Sequence, residues 1–227
     1  MSNVRWALRR ALRDRDLYDP RQRVRIDLDE IAHPADIAAR RAEFRDWGAF
    51  YDDLAGLGAT FKPRNVLQLG VRLGYSAYCL CSGSLLAGAR RVRLTGTDAE
   101  TDVGPPTYGY RTLAAAAETF RRFLPEVRTA FYCHDVTRDG LPPEAAGQRF
   151  QLVHLDLGST PEGTLVVLRL AWGVLAPGGI LAVSRTYERS DVIADLLTWL
   201  VEEDGSPFSS QHIHNDVGMG LFRRDLE

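Results

Sequence analysis

Three aspartates and one glycine turn carry the chemistry that this chain announces. Asp98 ends the run RVRLTGTD, Asp135 ends VRTAFYCHD, and Asp156 ends FQLVHLD. An ionised carboxylate accepts hydrogen bonds only, so an acid at a strand end can take hydroxyl or amino protons from a ligand. Upstream lies VLQLGVRLGYSA, Val66 to Ala77, where an apolar run turns through Gly70 and Gly74 toward a helix. In a dinucleotide-binding turn the middle glycine lets the backbone approach a pyrophosphate. Here Arg72 holds that place. The turn is therefore better suited to a nucleoside ligand without phosphates, held by Gln68, Gly70, Arg72, Gly74 and Ser76. Asp98 would accept both ribose hydroxyls, and Asp135 with its neighbour Val136 would hold an adenine. On the substrate side the candidates are Asp156, Arg185 and His154.

Those residues need a scaffold that brings strand ends together. From Phe61 onward, strand-like and helix-like runs alternate. NVLQLG, RVRLTGTD, VRTAFYCHD, FQLVHLD and ILAVSRT read as strands. SAYCLCSGSLLAGA, YRTLAAAAETFRRFL, PEGTLVVLRLAWGVL and SDVIADLLTWLVEEDG read as helices, with APGG as the stop of the third. FSSQHIHND and GMGLFRRD read as a closing hairpin. Such alternation predicts a parallel sheet with helices on both faces and one antiparallel strand. Ahead of it, residues 1–60 are Arg-rich. The spacing of Ile37, Phe44, Trp47, Phe50, Tyr51 and Leu54 predicts one helix from Ala35 to Leu57, with Gly58 as its stop. We expect it to cap the substrate side, with Trp47, Phe50 and Tyr51 facing inward. The expected division is a helical cap over residues 1–60 and a ligand-binding domain over residues 61–227.

Composition narrows the classes. The chain has 227 residues, 45% hydrophobic and 26% charged, with a net charge of -2. That argues against nucleic acid or an anionic membrane as partner. No apolar run reaches the length of a membrane span, and MSNVRWALRRALRDRD lacks the apolar stretch of a signal peptide. We therefore expect a cytoplasmic protein, with Cys79, Cys81 and Cys133 as reduced thiols in core elements. A homodimer is compatible with the sequence. S-adenosylmethionine (SAM) is a nucleoside ligand of the kind the turn calls for: adenosine with an amino-acid tail and no pyrophosphate. A nicotinamide cofactor is disfavoured by Arg72.

From about Phe61 to Arg224 the chain resembles class I SAM-dependent methyltransferases. VLQLGVRLGYSA resembles their first motif, with Gln68 in place of the usual acid. LTGTD resembles their ribose-binding strand, and LAPGGILAV their turn before strand five. The G-x-R-x-G-x-S spacing is similar to a branch of small-molecule O-methyltransferases. The resemblance implies a Rossmann-like, seven-stranded, mostly parallel sheet with an antiparallel last strand. It implies SAM at the carboxyl ends of strands one to three, S-adenosylhomocysteine (SAH) as product, and a small-molecule substrate above strands four and five. Many members of that branch bind a divalent cation through Asp-Gly-x-His-x-Tyr-Glu after strand four. This chain has DLGSTPE, with Ser159 at the His position, and Ser184 and Arg185 end strand five. We therefore expect no metal, and expect Arg185 to pair with Asp156 where a cation would sit. His33, His134, His154, His212 and His214 are the candidate bases, and the loop bearing Tyr108, Tyr110 and Arg111 is a candidate substrate element. A protein that keeps the SAM site for a non-methylating task, as a cyclase or binding protein, stays open.

Overall fold

The computed structural model describes residues 17–31, 37–99 and 112–226. Candidates His33, Tyr108, Tyr110 and Arg111 lie outside these residues. Seven strands form one sheet: β1 (Asn65–Leu69), β2 (Val92–Asp98), β3 (Val127–Cys133), β4 (Phe150–Leu155), β5 (Leu175–Ser184), β6 (Phe208–Ile213) and β7 (Met219–Arg224). Their order is β3-β2-β1-β4-β5-β7-β6. β7 runs antiparallel to both its neighbours, and the β1–β5 pairs are parallel. The expected architecture is therefore the observed one.

Alternation along each strand divides the core. Val66, Leu152, Ile180 and Ala182 face one layer, built by α1 (Ile37–Asp46), α2 (Gly48–Phe61) and α3 (Tyr75–Leu86). α4 (Thr112–Phe123) adds Phe120 to it. Leu67, Leu69, Val153, Leu155, Leu181 and Val183 face the other layer, built by α7 (Pro161–Gly173) and α8 (Ser190–Trp199). Two one-turn helices, α5 (Val136–Asp139) and α6 (Pro143–Ala146), connect β3 to β4. Strands apolar on both faces are what a doubly covered parallel sheet requires.

Three expectations are corrected. The Ala35–Leu57 helix is two helices: the chain breaks at Trp47 (φ -118°, ψ 25°) ahead of Gly48. α2 then runs past Gly58 to Phe61, where Lys62 in the left-handed region donates its N–H to the Gly58 carbonyl. Gly58 is needed for packing instead, because a Cβ there would strike the Leu80 carbonyl of α3. Second, residues 176–179 lie inside β5, with a register shift against β4 between Phe150 and Leu152. The helix before them ends at Gly173. Third, Cys79 and Cys81 are buried, but Cys133 is exposed because β3 is the sheet edge. The expected boundary at residue 60 falls within α2, which is buried at Phe50, Tyr51 and from Asp53 to Gly58.

Candidate active site

The carboxyl ends of β1, β4 and β5 open into a cleft. It is lined by the turn Gly70–Ser76 together with Trp47, Tyr51, Asp156 and Arg185. The glycine turn is built by close approach. Gly70 (φ +85°) donates its N–H to the Thr97 carbonyl at 2.9 Å, and a Cβ on it would run into the Asp156 carbonyl. Gly74 (φ +81°) caps α3, and Ala116 closes the space beside it. Between them Arg72 takes φ +47°, a conformation that disfavours a side chain. It is held there by Asp98, whose Oδ2 accepts the Arg72 N–H at 2.7 Å. Asp98 therefore shapes the turn as well as ending β2.

The other cofactor-side candidates fall out differently. Asp135 caps α5: its Oδ1 accepts from the Thr137 N–H at 3.0 Å and from the Thr137 hydroxyl at 2.6 Å. The Thr137 hydroxyl bond holds the Asp135 carboxyl below the usual carboxylate range. Val136 is buried in the core at the start of α5. Neither is among the residues lining the cleft. Ser76, in the first turn of α3, is.

On the acceptor side, Arg185 Nε stands 3.2 Å from Asp156 Oδ1. These two atoms are buried and their alignment does not make a hydrogen bond, so the pair is held by charge. The Arg185 guanidinium also lies 5.3 Å from the Trp47 ring centre, a cation–π arrangement. Arg185 itself is left-handed, φ +58°. So both arginines that line the cleft sit on strained backbone, which costs about 1–3 kcal/mol each and persists where surrounding structure imposes it. Behind Asp156, Arg189 donates to the Leu157 carbonyl. Burial lowers the pKa of Arg189, and Asp156 opposes that shift. The charge paired with Asp156 is thus the Arg185 guanidinium, and a cation in that place does not suit a divalent metal ion. Among the described residues no group of three His, Cys, Asp or Glu is placed to hold a metal.

His154 is completely buried and does not line the cleft. Its Nδ1 lies 2.8 Å from Gln68 Oε1, and its Nε2 lies 2.6 Å from Ser184 Oγ. Gln68 Nε2 donates to the Gly70 carbonyl at 2.8 Å. That bond orients the amide, so Oε1 must accept, Nδ1 must carry the proton, and Nε2 must accept from Ser184. Burial pushes the His154 pKa down to about 4, against a smaller upward effect of Asp156. His154 therefore has no path to an acceptor proton in this arrangement. Of the other histidines, His134 bonds the Gly140 carbonyl, and His212 and His214 cluster with Tyr187 beyond β5. The sequence reading singled out neither Ser184 nor Arg189 as a site residue. Ser184 had a signal: it shares the alternating face of Ala182 and His154.

A family model described as a methyltransferase domain matches residues 67–184, just over half of the chain. The chain belongs to the class I SAM-dependent methyltransferases. No curated protein sequence matches it. Among solved structures, this methyltransferase is similar to the O-methyltransferase TomG from Streptomyces achromogenes, involved in tomaymycin synthesis and crystallised with SAM. The TM-score is 0.58 at 14% identity, covering 90% of this chain and 92% of that one. The SAH-bound methyltransferase PaMTH1 of Podospora anserina gives 0.57 at 14% identity over 78% and 79%. A putative caffeoyl-CoA O-methyltransferase from Staphylococcus aureus gives 0.57 at 12% over 87% and 95%. These likenesses establish the fold.

Proposed function

We propose that this methyltransferase transfers the methyl group of SAM to an oxygen of a small molecule, without a metal ion. The observation that carries the reading is the cleft itself. It joins the glycine turn to a floor where the Arg185 guanidinium, and not a cation-binding carboxylate cluster, faces Asp156. O-methyltransferases among the structural neighbours support oxygen as the accepting atom. When bound, SAM supplies an electrophilic methyl on a sulfonium.

The chain's own groups then align and shield. The turn from Gly70 to Ser76 would hold the amino-acid end, and Asp98 the ribose. Asp135 and Val136 would flank the adenine at the end of β3. Trp47 and Tyr51 would wall the acceptor side, so that alignment supplies much of the rate, up to about 7–11 kcal/mol in favourable cases. Arg185 would orient the acceptor oxygen by hydrogen bonding, and the acceptor proton would leave to water. The partner is a small molecule. Among the described residues no helix is long and apolar enough to cross a membrane.

Incubation with labelled SAM and a panel of phenols, sugars and polyketides tests the reading. Methylated product should form, persist in the presence of chelator, and fall with Arg185→Ala. Loss of product on chelation would overturn metal independence. Binding of SAH with no transfer to any acceptor class would favour the non-methylating alternative.

A further inference from the structure

Under the cleft, three buried side chains from three adjacent strands form one hydrogen-bonded line. Gln68 of β1 is 1% exposed, and His154 of β4 and Ser184 of β5 are fully buried. Gln68 and His154 are direct partners in the β1–β4 ladder, and Ser184 lies two residues beyond Ala182, the partner of His154 in β5. Alternation puts all three on the face covered by α2, where the Phe50 ring lies 6.3 Å from the imidazole. The line is directional. The Ser184 hydroxyl donates to Nε2, Nδ1–H donates to Gln68, and the Gln68 amide donates to the Gly70 carbonyl. Each end lies within two residues of an arginine on strained backbone. Ser184 precedes Arg185 at φ +58°, and Gly70 opens the turn that holds Arg72 at φ +47°.

We propose that Gln68, His154 and Ser184 are positioning residues that tie the acceptor-side Arg185 to the cofactor turn at Gly70. They neither bind the cofactor nor move the acceptor proton. A neutral imidazole has one donor and one acceptor nitrogen, so the line is complete only in the Nδ1–H tautomer. A shift of the turn on cofactor binding must move Gln68, and through it the imidazole and the strand end that carries Arg185. A buried, fully satisfied polar line resists partial distortion, because any broken member leaves an unpaired polar atom. Gln68 also accounts for the departure from the first motif of the resembling enzymes: an ionised acid there could accept from His154 but could not donate to the Gly70 carbonyl.

The inference rests on the cleft being the SAM site, so the probe is SAH and the readouts need no acceptor. On the wild-type chain, nitrogen-15 spectra of the histidines should show His154 as the Nδ1–H tautomer across neutral pH, and its ring signals should move on saturation with SAH. Calorimetry should show SAH binding weakened about fivefold by Ser184→Ala, roughly the worth of one neutral hydrogen bond, and restored by Ser184→Thr. A wild-type chain that does not bind SAH would overturn the cofactor reading. SAH binding with an unmoved His154, an Nε2–H tautomer, or a Ser184→Ala affinity equal to wild type would overturn the relay alone. The spectra use the unaltered chain, so they decide the matter even where a variant fails to fold.

Discussion

Asp98 serves the fold at the place where the proposed function needs a ligand acceptor. Its Oδ2 fixes the Arg72 backbone, and under the proposed function the same carboxylate would accept from the ribose. Asp98→Ala should therefore weaken SAM binding by about 1–3 kcal/mol, since hydroxyls lose their acceptor and the turn loses its anchor. Unchanged affinity by calorimetry would remove the ribose assignment. His154 gives a pH dependence whose sign follows from burial. Its folded pKa is about 4, below the reference 6.5, so below 6.5 the unfolded chain binds the proton that the folded chain refuses. The stability tied to neutral His154 is fully present above pH 6.5 and is lost as pH falls toward 4. Its full extent is on the order of 3 kcal/mol. Denaturant titrations from pH 7 to 4 should show this loss, and His154→Gln should flatten it.

Among the elements, α2 and α3 approach more closely than ordinary side chains allow. A Cβ at Gly83 would strike the Ala55 carbonyl, and one at Gly58 the Leu80 carbonyl. Ser84 seals the contact by donating to the Gly58 carbonyl at 3.2 Å. The glycines let α2 lie low over the sheet, and this brings Phe50 onto His154 and Tyr51 to the cleft wall. Gly83→Ala should force the helices apart and destabilise the protein by about 1–3 kcal/mol, the usual effect of overpacking. It should also weaken acceptor binding more than SAH binding, because under the proposed function the displaced wall is on the acceptor side. A denaturant midpoint equal to wild type would contradict the close packing.

For the whole molecule, the question is how residues ahead of the sheet are kept in place. Asp53 of α2 is fully buried and collects four hydrogen bonds: Tyr18 Oη at 3.2 Å, Arg23 Nε at 2.7 Å, Arg23 Nη2 at 3.0 Å and Asn215 Nδ2 at 3.1 Å. Gln211 of β6 meanwhile bonds both the N–H and the carbonyl of Tyr18. Burial, with Asp53 beside it, raises the Tyr18 pKa well above its ordinary value. The segment 17–31, α2 and the far edge of the sheet thus meet at one carboxylate. Breaking a buried pair costs about 3–5 kcal/mol, but Arg23 is partly exposed and can regain water. Asp53→Ala should therefore cost about 2–3 kcal/mol in denaturant unfolding. A loss below that would show that the segment is held by its apolar contacts alone.

The alternation of apolar runs determined the sheet and its two helical layers, because a strand covered on both faces can be read without knowing its neighbours. The glycine turn and Asp98 were also legible: Gly70 and Gly74 have the positive φ that their residue type permits, and Asp98 ends a strand. Arg185 opposite Asp156 followed from strand order, since adjacent parallel strands bring their carboxyl ends together. Other features depended on contacts between distant segments. The break at Trp47 has no strong local signal, because apolar spacing runs on through it. Asp135 has the same residue type whether it caps a helix or meets a ligand, and only the position of Thr137 shows the cap. The role of His154 required Gln68 and Ser184, 86 and 30 residues away in the chain, to arrive on one face of the sheet. Periodicity assigns a side chain to a face, but burial and hydrogen-bond partners are properties of the assembled sheet, and they made a candidate base into a buried neutral link.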